Sequence, residues 1–449
     1  MFIDQTMRKS RSFVLYLLVP ALLLSAASNA QQTGADSLLQ NASLPNVIQY
    51  ALKRQPLVQQ SLIDEQITAL QVKSKLADWY PQINFNYLLQ HNFDVQTNII
   101  GGNPVKLGVD NTSAFQFGAT QTIFNRDVLL ALRSRNDVQL QARQQTTSNK
   151  IDVVVNVTKA FYAVLATQQQ IKVVQETITR LERSLKDARA QYDAGVADKT
   201  DYKRATIALN NAIASRKATE ESLKANTENL KAVMNYPPSG TLNIAYDSIA
   251  LENAIPQDTL ARVDIGSRIE YQQLQTLKRL QEANLKYNKW SFIPTLSANG
   301  AYNFNYLNDQ FSKLYNQSYP NSYIGLTLGL PIFQGGKRKY NIKQAEWQLK
   351  RVDLDIVNLE NSVNAEYTAA VAAYKSNLAN FLAIKENVQL AQEVYDVIQL
   401  QYHSGIKVYL EVITAETDLR TAQINYFNAL YSVLSSKVDV QRALGTVQY

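Results

Sequence analysis

Two long stretches of the chain repeat apolar residues at spacings that alternate between three and four. The first runs through Val154, Val157, Phe161, Val164, Ile171, Val174, Ile178, Leu181, Leu185, Ala188 and Tyr192. The second runs through Val363, Tyr367, Ala370, Tyr374, Phe381, Ile384, Val388, Ala391, Tyr395, Ile398 and Tyr402. This is the 3.5-residue period of a coiled-coil seam. It predicts one helix from about 126 to 192 and another from about 337 to 402, each roughly 100 Å long at 1.5 Å per residue. Gly195 and Gly405 end these arms, as residues suited to the left-handed turn past a helix. Return helices are expected at about 198–234, closed by Pro237-Pro238, and at about 407–444. Each is about half the length of its arm. Two further helices, about 258–290 and about 45–79, would complete the pairs. The first would stack on the end of 198–234, and the second would share the arm of 407–444. The segment 235–257 holds Pro237, Pro238, Gly240 and Pro256 and reads as a mid-height excursion of short strand and loop.

Between the helices the period drops to two. Ile83, Phe85, Tyr87 and Leu89 alternate with Gln82, Asn84, Asn86 and Gln90, and Phe115, Phe117 and Ala119 alternate with Gln116, Gly118 and Thr120. The second half repeats the pattern. Leu296, Ala298, Tyr302, Phe304 and Tyr306 stand against Ser297, Asn299, Asn303 and Asn305, and Ile324, Leu326 and Leu328 against Gly325, Thr327 and Gly329. These runs predict two hairpins, about 81–124 and 294–333. Strands of about ten residues with one apolar and one small polar face suit a transmembrane barrel, lipid outside and water inside. An ordinary half-buried sheet fits each strand alone, but not strands joined directly to helices too long for a globule. Even the smallest barrel needs about eight strands, so several chains must share one.

The two halves are copies. Tyr192-Asp-Ala-Gly195 followed by Asp201, Ala205 and Leu209 returns, at a constant offset of 210, as Tyr402-His-Ser-Gly405 followed by Glu411, Ala415 and Leu419. The fold class that follows is mainly α with a transmembrane β-barrel, in two structural repeats. Residues 31–234 form the first repeat, 235–257 an inter-repeat segment and 258–449 the second repeat, each repeat a β-hairpin with long coiled-coil helices.

Composition narrows the picture. Arg8, Lys9 and Arg11, the apolar run Phe13 to Leu24 and Ser28-Asn29-Ala30 read as a secretory signal over 1–30, with Met1 or Met7 as the start. The chain has no cysteine, so neither a disulfide framework nor a thiolate metal site is expected. His91 and His403 lie in different segments, and no cofactor or metal is expected. No later stretch is an apolar run of about 20 residues, so any membrane crossing falls to strands. The net charge is +7, but the charges are interspersed along helix faces. That favours a solvated surface and excludes nucleic acid as the partner. Asp201 and Glu411 are the one pair that resembles carboxylates for acid–base work. Their equivalent repeat positions explain them better, and an enzyme is not expected.

Tyr323-Ile-Gly-Leu-Thr-Leu-Gly-Leu-Pro-Ile-Phe-Gln-Gly-Gly336, the weaker counterpart Ala119 to Phe124, the strand-entry prolines Pro81 and Pro294 and the Tyr-x-x-Gly tips resemble the TolC family of outer-membrane efflux channels. The resemblance spans nearly the whole chain after the signal, in order and in both repeats. It implies a homotrimer with one shared barrel in outer-membrane lipid and a tapering helical tunnel in the periplasm. It also implies a periplasmic adaptor protein and an inner-membrane pump of RND or ABC type as partners.

The resemblance also assigns a periplasmic gate. Tyr402 matches a gate tyrosine, and Thr200 and Asp201 match its partners on the neighbouring hairpin. Lys407 stands where the family pattern has arginine, which removes a bidentate fork and implies a looser latch. Glu411 stands at a pore-facing acidic position. Thr414 stands at a second one, implying one acidic ring. Gly195 and Gly405 mark tips that could dock the adaptor. The bland alternative for these residues is solvated helix ends. In function, a passive exit duct for small molecules leads. The exit duct of a type I protein secretion system shares the fold. A periplasmic coiled-coil adaptor or scaffold is the reading from another class, and it predicts no barrel strands.

Overall fold

A computed structural model describes residues 39, 41–244, 248–256 and 263–449. The expected signal, 1–30, lies outside the described residues. The order of elements is α1 (Leu44–Arg54), α2 (Pro56–Ala77), β1 (Gln82–His91), β2 (Thr97–Ile100), β3 (Asn103–Lys106), β4 (Asn111–Phe124), α3 (Arg126–Asp193), α4 (Lys199–Met234), α5 (Ser248–Asn253), α6 (Ile269–Lys289), β5 (Thr295–Asn308), β6 (Ser318–Gly329), α7 (Lys337–His403) and α8 (Tyr409–Leu444).

The two long arms fall within a residue or two of their expected bounds. Elsewhere the structure differs in detail. The single helix expected over 45–79 is broken in two. Pro56 forces Gln55 into an extended backbone, φ −63° and ψ 123°, because the ring of proline disfavours a helical residue before it. The described part of the inter-repeat segment holds the short helix α5 rather than a strand. The loops of the two strand hairpins each hold a small element that was not anticipated. The β2–β3 hairpin sits in the loop after β1, and a 3-10 turn, Phe311–Asn316, sits in the loop after β5.

Four strands form one antiparallel sheet in the order β1-β4-β5-β6. The register separates its faces. Asn86, Gln116, Asn303 and Asn321 lie side by side on one face. There the Asn303 side-chain amide donates to Asn321 Oδ1 at 2.7 Å and Asn299 to Thr327 Oγ1 at 2.6 Å. One residue along, Phe85, Phe117 and Tyr302 share the other face, with the Phe85 and Phe117 rings 5.0 Å apart. That face is open, Ile324 being 89% exposed. Amides inward and aromatics outward are what a wet lumen and a lipid surround require. No described helix is long and apolar enough to cross a membrane.

The helix stacking corrects the sequence expectation. The Asn235 amide at the end of α4 donates to the Arg54 carbonyl at 2.9 Å, so α2 continues over α4. The Ser267 hydroxyl reaches the Leu444 carbonyl at 3.1 Å, and Arg268 donates to the carbonyls of Arg442 and Ala443, both at 3.0 Å. Thus α6 continues over α8. The expected partners were exchanged. Paired strands lie under 5 Å apart, so the helix entering a hairpin must neighbour the helix leaving it. That puts α2 beside α3, where the Asn149 amide donates to Ser61 Oγ at 2.6 Å, and α6 beside α7, where Lys278 meets Asp353 at 2.8 Å.

The described part of the inter-repeat segment ties the two helices of the second hairpin together. Glu252 of α5 accepts from Lys385 Nζ at 2.7 Å and the Tyr426 hydroxyl at 2.6 Å, and Tyr374 donates to the Ile255 carbonyl at 2.9 Å. The charges are also less evenly spread than the sequence suggests. Helix ends that abut the sheet bring cations together: Lys286 and Lys289 close α6, and Lys337, Arg338, Lys339 and Lys343 open α7 with no acidic residue among the first two turns.

Candidate functional site: the paired hairpin tips

The far ends of both hairpins are built alike. In the first, Gly195 adopts φ 74°, its N–H bonds the Tyr192 carbonyl at 2.9 Å, and the Val196 N–H bonds the Gln191 carbonyl at 3.0 Å. In the second, Gly405 adopts φ 75°, with Gly405 to Tyr402 at 3.0 Å and Ile406 to Gln401 at 2.9 Å. These are Schellman turns, closed by a left-handed glycine. Nothing lies within 4 Å of a Cβ built at either glycine. The backbone angle, not lack of room, demands the residue. Both turns push an apolar side chain outward, Val196 at 77% and Ile406 at 70% exposure.

The hairpins then diverge. Asp198 caps α4, accepting from the Thr200 N–H at 2.7 Å, and that bond holds its carboxyl below the usual carboxylate range. The equivalent Val408 before α8 offers no side-chain cap. Instead Lys407 and Glu411 pair across one turn at 2.7 Å.

The two tips meet in a small core of Ala188, Ala205, Tyr402, Tyr409 and Val412. Tyr402 is 7% exposed, its ring 5.5 Å from that of Tyr409. Its hydroxyl donates to Gln191 Oε1 at 2.9 Å. Burial, then the negative charges of Asp201 and Asp187, push the Tyr402 hydroxyl above its ordinary pKa, so it stays a donor at neutral pH. Burial pushes Tyr409 up as well. Further from the tip, Glu416 of α8 is buried and takes both of its oxygens to Arg180 Nε of α3, at 3.0 and 3.1 Å. Arg180 also lies 5.7 Å from the centre of the Tyr395 ring, and burial together with Glu416 pushes Tyr395 up to about 12.

The expected gate residues are therefore only partly assembled within one chain. Asp201 stands close enough to Tyr402 to act on it electrostatically, but the hydrogen bond goes to Gln191. Lys407 is held by Glu411 rather than Asp201. Gln191 escaped the sequence reading although the signal is present. Gln191-Tyr192-x-x-Gly195 and Gln401-Tyr402-x-x-Gly405 repeat the glutamine along with the tyrosine. The Arg180–Glu416 pair escaped it because it joins α3 to α8, and nothing local marks such a pairing. Among the described residues no cluster of His, Cys, Asp or Glu could hold a metal.

The profile of the outer membrane efflux protein family matches residues 47–236 and 269–446, one block per repeat. The chain belongs to this family. It is 21% identical over 431 residues to the outer membrane protein TolC of Escherichia coli, covering 92% of this chain and 84% of that one. It is 22% identical over 449 residues to OprJ of Pseudomonas aeruginosa, covering 94% and 88%. Among solved structures, the outer membrane protein VceC of Vibrio cholerae matches with a TM-score of 0.71 at 14% identity, over 90% of this chain and 96% of that one. The transmembrane channel CusC matches at 0.73 and 17%, over 91% and 95%. Family members are outer membrane proteins, and the amide and aromatic faces of the sheet fit that location.

Proposed function

We propose that this protein is the outer-membrane exit duct of a tripartite efflux system, a passive channel for small molecules driven by an inner-membrane pump through a periplasmic adaptor. The observation that carries the reading is the sheet. Its lumen face is lined by neutral amides, its other face by aromatics, and its two edges, β1 and β6, are unpaired within the chain. Open edges in a bilayer are not tolerated. A homotrimer closes the barrel, with four strands from each chain. The names of the relatives favour efflux over protein secretion, one being a probable efflux pump outer membrane protein of Pseudomonas putida, 24% identical over 317 residues.

In this reading the tips form the gate. Gln191, with Thr200 and Asp201 of the same hairpin, holds Tyr402 of its neighbour, while Lys407 beside it is paired with Glu411 of its own hairpin. The exposed Val196 and Ile406 beside Gly195 and Gly405 offer the adaptor two equivalent apolar knobs. Glu411 supplies an acidic ring, and Asp418 adds a second. It lies seven residues on, on the same helix face, exposed and without the lysine that occupies Glu411. The barrel lumen carries no charged side chain at the levels of Gln82 to Gln90, so charge selection belongs to the tips.

Reconstitution in planar bilayers tests this. The protein alone should conduct ions without an energy source and favour cations. Asp418→Ala should reduce that preference more than Glu411→Ala, and the double variant should come close to abolishing it. No conductance would sink the duct; an unchanged preference in the double variant would remove both carboxylates from the pore.

A further inference from the structure

Where the tunnel helices meet the sheet, α3 and α6 enclose a groove of about 200 Å³. Leu130 and Arg133 line it from α3; Glu282, Ala283, Lys286, Tyr287 and Trp290 line it from α6 and the turn that follows, so three cations, with Arg279, stand against one carboxylate. The groove is built with fixed rings. Trp290 lies 4.5 Å beneath the Arg133 guanidinium and Tyr287 4.4 Å beneath that of Arg126. The Tyr287 hydroxyl donates to Asp127 Oδ1 at 2.6 Å. At the far end Arg279 is neutralised by Asp137 at 2.8 Å. Arg133 and Lys286 are different. Both are exposed, and among the described residues neither has a carboxylate within ion-pairing distance.

The position of the groove decides its partner. Arg133 lies about 10 Å along α3 from the last residues of β4, and Trp290 stands just before β5 begins at Thr295. The polar layer on either side of a bilayer core is roughly 5–7 Å deep, within reach of a long cationic side chain that extends toward it. The lumen face of the sheet is amide-lined, and the aromatic residues lie on the other. Trp290 and Tyr287 belong by chemistry with the lipid-facing set, since such rings favour the interface. The groove also needs no neighbouring copy, because α3 and α6 are the inner pair of the four helices that meet the sheet.

We propose that this groove binds the headgroup of an anionic phospholipid of the periplasmic leaflet. The phosphate sits between Arg133 and Lys286, and the glycerol and upper acyl carbons lie on Leu130, Ala283 and Trp290. Lys289 and the run Lys337, Arg338 and Lys339 raise the local concentration of anionic lipid around it, as juxtamembrane cations do. The unpaired cations, the aromatic floor and the depth all point to one amphiphile.

The test uses the full protein purified in a neutral detergent. Phosphatidylglycerol, phosphatidylcholine and inorganic phosphate are titrated separately against the thermal midpoint and against lipid counts in native mass spectrometry. Phosphatidylglycerol should raise the midpoint and remain bound; the other two should not. Arg133→Gln with Lys286→Gln should weaken the effect about tenfold or more, and Lys217→Gln, far down the tunnel, should leave it intact. Heat-modifiable gel migration checks that the double variant still assembles; if it does not, each single variant is measured alone. Equal effects of the two lipids, an equal effect of free phosphate, or full retention by the variants would overturn the proposal.

Discussion

Tyr402 is held by a neutral amide in this chain, and in the proposed gate that bond sets the strength of the latch. A hydrogen bond between uncharged groups contributes about 1 kcal/mol net, a several-fold change in the population of a closed tip. The bond at 2.9 Å is backed by burial of the ring against Tyr409 and Val412. Gln191→Leu removes the acceptor and keeps the bulk. It should raise bilayer conductance to about the level of Tyr402→Phe, and combining the two should add little, because both delete one contact. Lys407→Ser breaks a pair within one hairpin, with Glu411, and should add little to either. If Gln191→Leu conducts like the parent, the amide is not part of the latch. The Lys407 ion pair is partly exposed and is worth less.

At the scale of elements, the junctions between stacked helices are where stability concentrates. Arg268 is buried, bonds the last carbonyls of α8 and pairs with Glu270 and Glu366, each at 3.0 Å. It satisfies a helix C-terminus and begins α6 with one side chain. Arg268→Ala leaves the carbonyls of Arg442 and Ala443 without their donor, a loss of about 1–3 kcal/mol, while the partly exposed Glu270 and Glu366 turn to water and add little. The temperature at which the assembled form collapses on a gel should fall clearly, while Lys217→Ala, in an exposed pair with Glu221, should change nothing measurable. Equal midpoints would remove Arg268 from the junction. Such junctions were not legible in the sequence, whereas the elements they join were. The alternation of Ile83, Phe85 and Tyr87 and the heptads through Phe161 and Phe381 are local patterns, set by side-chain period. Which helix continues over which depends on strand pairing across more than a hundred residues. The tip glycines were legible because a left-handed turn names its residue; Gln191 is marked by its repeat at Gln401, but the repeat marks a position and not which tyrosine its amide accepts from. The cations around Arg133 and Lys286 look interspersed in sequence because three helices, α3, α6 and α7, contribute them.

For the whole molecule, the repeat predicts the contact that one chain cannot show. Within the chain α3 packs on α6, with Asp127 opposite Tyr287 and Asp137 opposite Arg279. Moving α3 forward by the repeat offset gives α7, so Asp137 corresponds to Trp347. Matching the starts of β5 and β1, at Thr295 and Gln82, sets Arg279 over Gln66 of α2. In a closed ring α7 of one copy must therefore lie on α2 of the next, with Trp347 near Gln66 and Ile67. The surfaces agree. Trp347 and Leu354 on α7, and Ile63, Ile67 and Leu70 on α2, are large apolar side chains left exposed in the single chain, each set turned away from its own chain's core. Apolar seams of this length on a soluble tunnel call for a cover. Trp347→Cys together with Ile67→Cys, treated with a short bismaleimide in intact envelopes, should yield dimer and trimer bands and nothing larger, because a ring of three consumes every edge. Either cysteine alone should stay monomeric on a denaturing gel. A ladder running past trimer would replace the closed ring with an open array. No crosslink beside a stable monomer with intact strands would show that the two seams never meet, and the barrel would then need another way to close.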